Sequence, residues 1–238
     1  MKHLNTYITE YIVNKKLDKP IDSEDHYNYY PKTKDELINI IKTLLDKGET
    51  NLNYIDISKI TDMSNLFDSG NYNKPLNNID ISKWDVSNVK NMQFMFDGYE
   101  KFNCDLSKWD VSNVENMSYA FCDCSNFKGK GIENWTVSKV ENMKGIFSWC
   151  INFNCDLSGW DVSNVNNMSF MFDNCKNFNC DLSNWDVSKV TNMKYMFQNC
   201  ENFKAEGLDK WNIGKVKHMD FMFDNCISMK NKPTWYKK

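Results

Sequence analysis

Nine cysteines, a recurring aspartate and three histidines are the residues of this 238-residue chain with obvious chemistry to offer. Cys124, Cys150, Cys175, Cys200 and Cys226 form one regularly spaced series, Cys104, Cys155 and Cys180 a second, and Cys122 stands outside both. Three readings follow from that spacing. Buried free thiols suit crowded turns, because unpaired cysteine is among the most buried residue types. Disulfides would need Cβ atoms about 3.8 Å apart, closer than stacked equivalents sit, and the odd total leaves one thiol over. Zinc held by Cys150, Cys155, Cys175 and Cys180 would lack both the Cys-x-x-Cys spacing and an accompanying histidine.

The aspartates Asp56, Asp85, Asp110, Asp161 and Asp186 are equally periodic, with Thr136 and Asn212 in the same slot of other copies. Stacked carboxylates repel unless each finds donors or a cation. The leading reading is bonding to nearby turn N–H groups or to Ser, Asn and Lys neighbours. Ligand binding along the face they share is a second. Calcium is a third, although the glycine-rich pattern of calcium-binding repeat proteins is missing. The asparagines Asn91, Asn116, Asn142, Asn167 and Asn192 read as a backbone-satisfying ladder rather than a site. His3, His26 and His218 lie in unrelated contexts, so no set of nucleophile, base and orienting group can be assembled. Phosphate-binding loops, dinucleotide fingerprints, zinc-protease and nucleophile-elbow motifs are all absent from the sequence. The expectation is a protein that is not an enzyme and uses no cofactor or metal.

The elements that position these residues are tandem repeats. Trp84, Trp109, Trp135, Trp160, Trp185 and Trp211 recur at 25 or 26 residues. Each is followed in step by a methionine (Met92 to Met219) and, four residues on, by a phenylalanine (Phe96 to Phe223). A divergent first copy carries Ile55, Ile60, Met63 and Phe67, making seven copies. Around Trp84-Asp85-Val86-Ser87 apolar residues alternate, as in a short strand with one buried face. From Val89 the offsets 3, 6, 7 and 10 trace one face of a short helix, and Ser87, Ser112, Ser138, Ser163 and Ser188 stand where a hydroxyl could cap it. The extra residue of the two 26-residue steps falls in 128–134 and 204–210, glycine-bearing stretches read as loops. The predicted fold is therefore an α/β repeat solenoid, with one short parallel strand and one short helix per repeat over residues 53–238 and a short C-terminal cap. Residues 1–52 are expected to form a helical N-terminal cap. Leu4, Tyr7, Ile8, Tyr11 and Ile12 have helical spacing, and Thr33 with Glu36 opens a second helix that ends at Lys47-Gly48.

The pattern D-L-S-x-W-D-V-S-x-V-x-N-M-x-x-M-F-x-x-C-x-x-F-N, nearly whole in 156–179, closely resembles the BspA-like leucine-rich repeat family. The resemblance covers Asn53 to Trp235. It implies a leucine-rich-repeat-like scaffold of the kind found in bacterial surface proteins, including mycoplasma lipoproteins, with related sequences in phages and parasitic protists. Such repeats bind, in some members, host matrix or cell surfaces, and they bring no catalytic residues. On this reading a protein or other macromolecular partner would meet the outward strand positions and adjoining loops: Lys83, Asp85, Lys108, Asp110, Asn134, Thr136, Asp161, Asn184, Asp186, Lys210 and Asn212. A structural or assembly subunit, of the kind a phage could encode and without a dedicated ligand, is the alternative.

Composition narrows the partner. Net charge is −3, and every one of the 29 basic residues is lysine. Without arginine, the bidentate geometries that read guanine are missing, and nothing draws the chain to phosphate backbones, so nucleic acid is not expected. No 18-residue apolar run predicts membrane insertion. Lys2, Asn5, Thr6, Glu10 and Asn14 interrupt what an export signal would need to be greasy, which predicts a cytoplasmic protein.

Overall fold

Each copy of the repeat lies directly on the next, in parallel and in register. Single-residue bridges run Asp62, Asn91, Asn116, Asn142, Asn167, Asn192, His218, one rung per copy. The computed structural model describes residues 27–72, 76 and 78–237. The expected helix around Leu4–Ile12, together with His3 and His26, lies outside that range.

The predicted α/β solenoid with a strand and a helix in every copy is not what forms. Among the described residues there is one α-helix, α1 (Lys34–Asp46), three single-turn 3-10 helices, and only isolated bridges in place of strands. The stack is built from β-turns. Where the strand was expected, Trp109 and Val111 are buried and Asp110 exposed, so the alternation is real. The backbone bonds are nevertheless local: Trp109 N–H donates to Leu106 O (3.0 Å), Val114 N–H to Val111 O (2.9 Å), and Ser112 N–H to Asp110 Oδ1 (3.0 Å). An aspartate that captures the N–H two residues on makes a turn and removes that donor from any ladder. The serines do not cap helices; Ser87, Ser112, Ser163 and Ser188 are themselves the donors to these aspartates.

The helix fails for a related reason. Met92, Phe94, Phe96 and Gly98 donate to Asn116, Ser118, Ala120 and Cys122 carbonyls of the next copy at 2.8–3.0 Å. The residues between them close turns on their own copy, Met95 on Met92 and Asp97 on Phe94. A residue committed to its neighbour cannot also make the bond four residues back that defines an α-helix. Turns that bring every third residue onto one side bury Val89, Met92, Met95, Phe96 and Tyr99, the same offsets a helical face would bury. In every copy after the first, two residues of this segment take left-handed backbone to allow this, for example Phe170 (φ 60°) and Asn174 (φ 60°). That is the φ a turn of type II places at its third residue.

The interior consists of ladders of identical side chains. Phe67, Phe96, Phe121, Phe147, Phe172, Phe197 and Phe223 stack with centroids 5.2–5.9 Å apart. Phe102, Phe127, Phe153, Phe178 and Phe203 form a parallel series at 5.6–6.1 Å. Each tryptophan of the repeat series slides its ring under the preceding copy and donates Nε1–H to a carbonyl there: Trp109 to Ile81, Trp160 to Ile132, Trp185 to Leu157. One continuous core runs from Tyr29 to Cys226.

The two longer copies place their extra residue in 3-10 turns, Ile132–Asn134 and Leu208–Lys210. Gly131 precedes the first with φ 92°, and a Cβ there would stand 2.2 Å from Ser107 N, so only glycine fits. At the N-terminal end α1 covers the first copy with Leu37, Ile40, Ile41 and Leu44. Thr33 Oγ1 accepts from Glu36 N, while the Glu36 carboxylate accepts the Lys32 N–H rather than that of Thr33, a one-residue variant of the expected box. Lys34 reaches from α1 to Asp62 Oδ2 and Ser64 Oγ (both 2.8 Å) and Ser64 O (3.2 Å).

Candidate functional site

All eleven residues predicted as outward contacts are exposed. They flank the buried tryptophans, forming two lines along one edge of the stack rather than the face of a sheet. Much of their bonding capacity is already spent inside the fold. Asp85, Asp110, Asp161 and Asp186 accept serine N–H groups, and Asn212 accepts from Gly214. The hydroxyl and N–H of Ser112 hold the Asp110 carboxyl below its usual range, and those of Ser188 do the same for Asp186. Asn184 lines one shallow cleft of about 490 Å³ with Asn154, Cys155, Asp156 and Asp181. Lys210 lines another of about 300 Å³ with Asp181, Ser183 and Glu206.

The cysteines turn out to be structural. All nine are free, five of them buried. Cys124, Cys150, Cys175, Cys200 and Cys226 donate S–H to the carbonyls of Phe96, Phe121, Phe147, Phe172 and Phe197 in the preceding copy, at 2.9–3.1 Å. Burial pushes these thiols up, Cys226 to about 12, so they stay protonated as the bonds require. Cys155 and Cys180, half-buried, are raised by burial to about 12 and about 11. Among the described residues no group of three or more His, Cys, Asp or Glu side chains is placed to hold a metal ion.

A different surface was missed by the sequence reading: the side of the stack that carries the left-handed residues. Two residues after each repeat methionine come Asn65, Phe94, Tyr119, Gly145, Phe170, Tyr195 and Phe221, and all of them hold φ between 54° and 60°. Their rings stack on the outside, Phe94 on Tyr119 (4.9 Å), Phe170 on Tyr195 (4.8 Å) and Tyr195 on Phe221 (5.1 Å). Gly145 interrupts this column. Tyr119 leans over it so closely that a Cβ would meet the ring at 2.3 Å. Lys144 places its ammonium beside the opening, 5.4 Å from the Tyr119 centroid and 5.9 Å from that of Phe170.

Four residues further along each copy lies a second outer column: Gly98, Asp123, Trp149, Asn174, Asn199 and Asn225, again left-handed throughout. Asn225, Asn199 and Asn174 pass amide hydrogen bonds down the stack, and Asn174 ends on Asp173 Oδ1. The next position is Trp149, half of whose surface is exposed. It sits one step from Asp123, a carboxyl raised by burial and by the neighbouring charges of Glu100 and Asp97. Asp97 also shares a hydrogen bond with the Cys122 thiol. The sequence signal was available: aligned on the methionines, these columns vary while the interior repeats.

The geometry defines a class, a repeat protein whose copies share one continuous core and differ on one outer face. The chain belongs to the family described as Mycoplasma protein of unknown function, DUF285, which matches residues 38–130 and 116–236. No curated protein and no solved structure matches it. Among the described residues no helix is long and apolar enough to cross a membrane.

Proposed function

We propose that the chain is a non-catalytic recognition protein, a repeat scaffold that holds a protein partner against its exposed surface. The observation that carries this reading is the contrast at the copy spanning Lys144 to Trp149. Its interior residues Met143, Phe147 and Cys150 keep the repeat, Ile146 replaces a methionine with another apolar side chain, and all four are fully buried, while its outer residues Gly145 and Trp149 depart from their columns and expose an indole. Surfaces that meet partners are enriched in tryptophan and tyrosine. The finer relationship, to the BspA-like surface repeat proteins, rests on the pattern in 156–179 and agrees with a binding role. The Trp-flanking residues from Lys83 to Asn212 are a second candidate contact line, less favoured because their aspartates already bond within the fold.

Affinity capture from the native host, with partners identified and each compared across variants, tests the assignment. Trp149→Ala and Tyr119→Ala are expected to abolish capture that Asp110→Ala, Thr136→Ala and Asp161→Ala leave intact. The reverse pattern moves the contact to the Trp-flanking line. Concentration-dependent self-assembly with no variant-sensitive partner would overturn the recognition reading in favour of an assembly subunit.

A further inference from the structure

The outer face around Trp149 has a chemistry more specific than apolar exposure. Asp123 occupies the equivalent position one copy earlier, with Asp123 N–H bonded to Ser148 O (2.8 Å) and Trp149 N–H to Asp173 O (2.7 Å). Equivalent rings one step apart in the adjoining column lie 4.8–5.1 Å from each other, so the indole and the Asp123 carboxylate are near neighbours. Asp97 and Glu100 flank Gly98, the residue before Asp123 in this column; Gly98 N–H donates to Cys122 O (2.9 Å) and Asn126 N–H to Glu100 O (3.0 Å), which sets both acids against the turn that carries Asp123. None of the ion pairs among the described residues involves Asp97, Glu100 or Asp123. The patch therefore combines an exposed aromatic ring with negative charge that the fold does not neutralise. The same face already shows that rings there accept a cation, because Lys144 sets its ammonium near both Tyr119 and Phe170.

We propose that Trp149, with the carboxylates of Asp97, Glu100 and Asp123, is the docking point for a lysine- or arginine-bearing segment of a protein partner. The cationic head would lie over the indole face and pair with the carboxylates, two attractions that reinforce each other where water is partly excluded. Charge complementarity selects this occupant. An acidic segment would meet like charge, and an apolar one would desolvate carboxylates without replacing their partners. The chain has no arginine of its own, so an arginine-bearing partner would bring the planar cation best suited to stacking on the indole.

This inference rests on the recognition reading, and the test separates the two. The full chain is titrated with an acetylated, amidated Gly-Arg-Gly-Arg-Gly peptide at low ionic strength, following amide and indole NMR signals, with Gly-Glu-Gly-Glu-Gly as control. Saturable shifts centred on Trp149 and Asp123 are expected with the basic peptide only. Trp149→Ala and the double change Asp123→Asn/Glu100→Gln are each expected to weaken binding at least about tenfold, whereas Trp149→Phe loses less and Glu141→Gln nothing. Denaturation curves of each variant confirm that it remains folded. Equal weakening by Glu141→Gln, or shifts scattered over all acidic residues, would mean diffuse electrostatics and overturn the proposal, as would preference for the acidic peptide. If the basic peptide fails to bind while Trp149→Ala still abolishes host-partner capture, the occupant chemistry is wrong and the recognition reading survives. If both fail, both fall.

Discussion

The interior columns and the outer columns of the stack share one backbone yet obey opposite rules. Inside, the same residue recurs at nearly every step: tryptophan bonded to a carbonyl of the previous copy, phenylalanine on phenylalanine, cysteine on a phenylalanine carbonyl. Outside, on the left-handed positions, Phe94, Tyr119, Gly145 and Phe170 succeed one another, and Gly98, Asp123, Trp149 and Asn174 do the same. The difference shows where register is determined. Interior ladders and copy-to-copy N–H bonds hold the coil in place, so an outer side chain can change without moving the frame. Left-handed backbone at bulky residues costs energy, and the interior tolerates that cost in copy after copy.

The comparison breaks most visibly at an interior ladder. Trp160→Ala removes a buried indole and leaves Ile132 O without its side-chain donor; a loss of about 3–5 kcal/mol is expected in urea denaturation. Trp160→Phe keeps most of the packing and loses only the N–H bond, about 1 kcal/mol. Cys175→Ala should also cost about 1 kcal/mol, because Phe147 O keeps the Cys150 N–H when the thiol is gone.

Acid distinguishes the surface turns around the tryptophans from the outer columns by sign. The Lys130 ammonium, with Ser107, lowers the Asp105 carboxyl to about 2, and serine donors lower Asp110, Asp156, Asp181 and Asp186. A carboxyl lowered in the fold adds stability above its unfolded value of about 3.9, and that stability is lost as pH falls through the folded value. The urea midpoint should therefore drop steadily between about pH 4 and pH 2. Asp123 runs the other way: its raised carboxyl weakens the fold at neutral pH and is relieved by protonation. Asp123→Asn is accordingly expected to leave neutral stability unchanged or slightly raised. The smallest effect belongs to Trp149→Gly, which relieves a left-handed residue and removes a half-exposed ring. The two changes should nearly cancel, and a stability loss above about 1 kcal/mol would place Trp149 with the interior.

Much of this was legible in the sequence, though not the elements themselves. The period of Trp, Met and Phe located the copies and nearly all core residues, and Thr33, Leu37, Ile40, Ile41 and Gly48 marked α1 and its ends. The strand and helix were misread because burial offsets do not record where N–H groups go. Val89, Met92, Met95 and Phe96 are buried at helical spacing by turns that bond to the next copy, and Trp109-Asp110-Val111 alternates while Asp110 closes a turn on Ser112. The aspartate after each tryptophan carried the clue, since Asp-x-Ser favours such a turn over an extended strand. The outer face is hidden from a reading of the repeat, because its residues are the ones that do not recur. Gly145 and Trp149 matter as exceptions, and an exception is visible only once its column is known.

The tryptophan series, so far a hydrogen-bonded ladder, is also an optical array. Trp109, Trp135 and Trp160 lie 6.4 and 6.5 Å apart and within 8° of parallel, and Trp211 faces Trp235 at 6.3 Å. Indoles so close and so aligned exchange excitation before they emit and couple in their near-ultraviolet absorption. The folded chain should show a near-ultraviolet absorption band displaced by this coupling, a displacement that vanishes when neighbouring copies come apart. Trp149, outside the array, would emit as a separate and accessible chromophore, so light alone can report the state of the core and the occupancy of the outer face as two distinct signals.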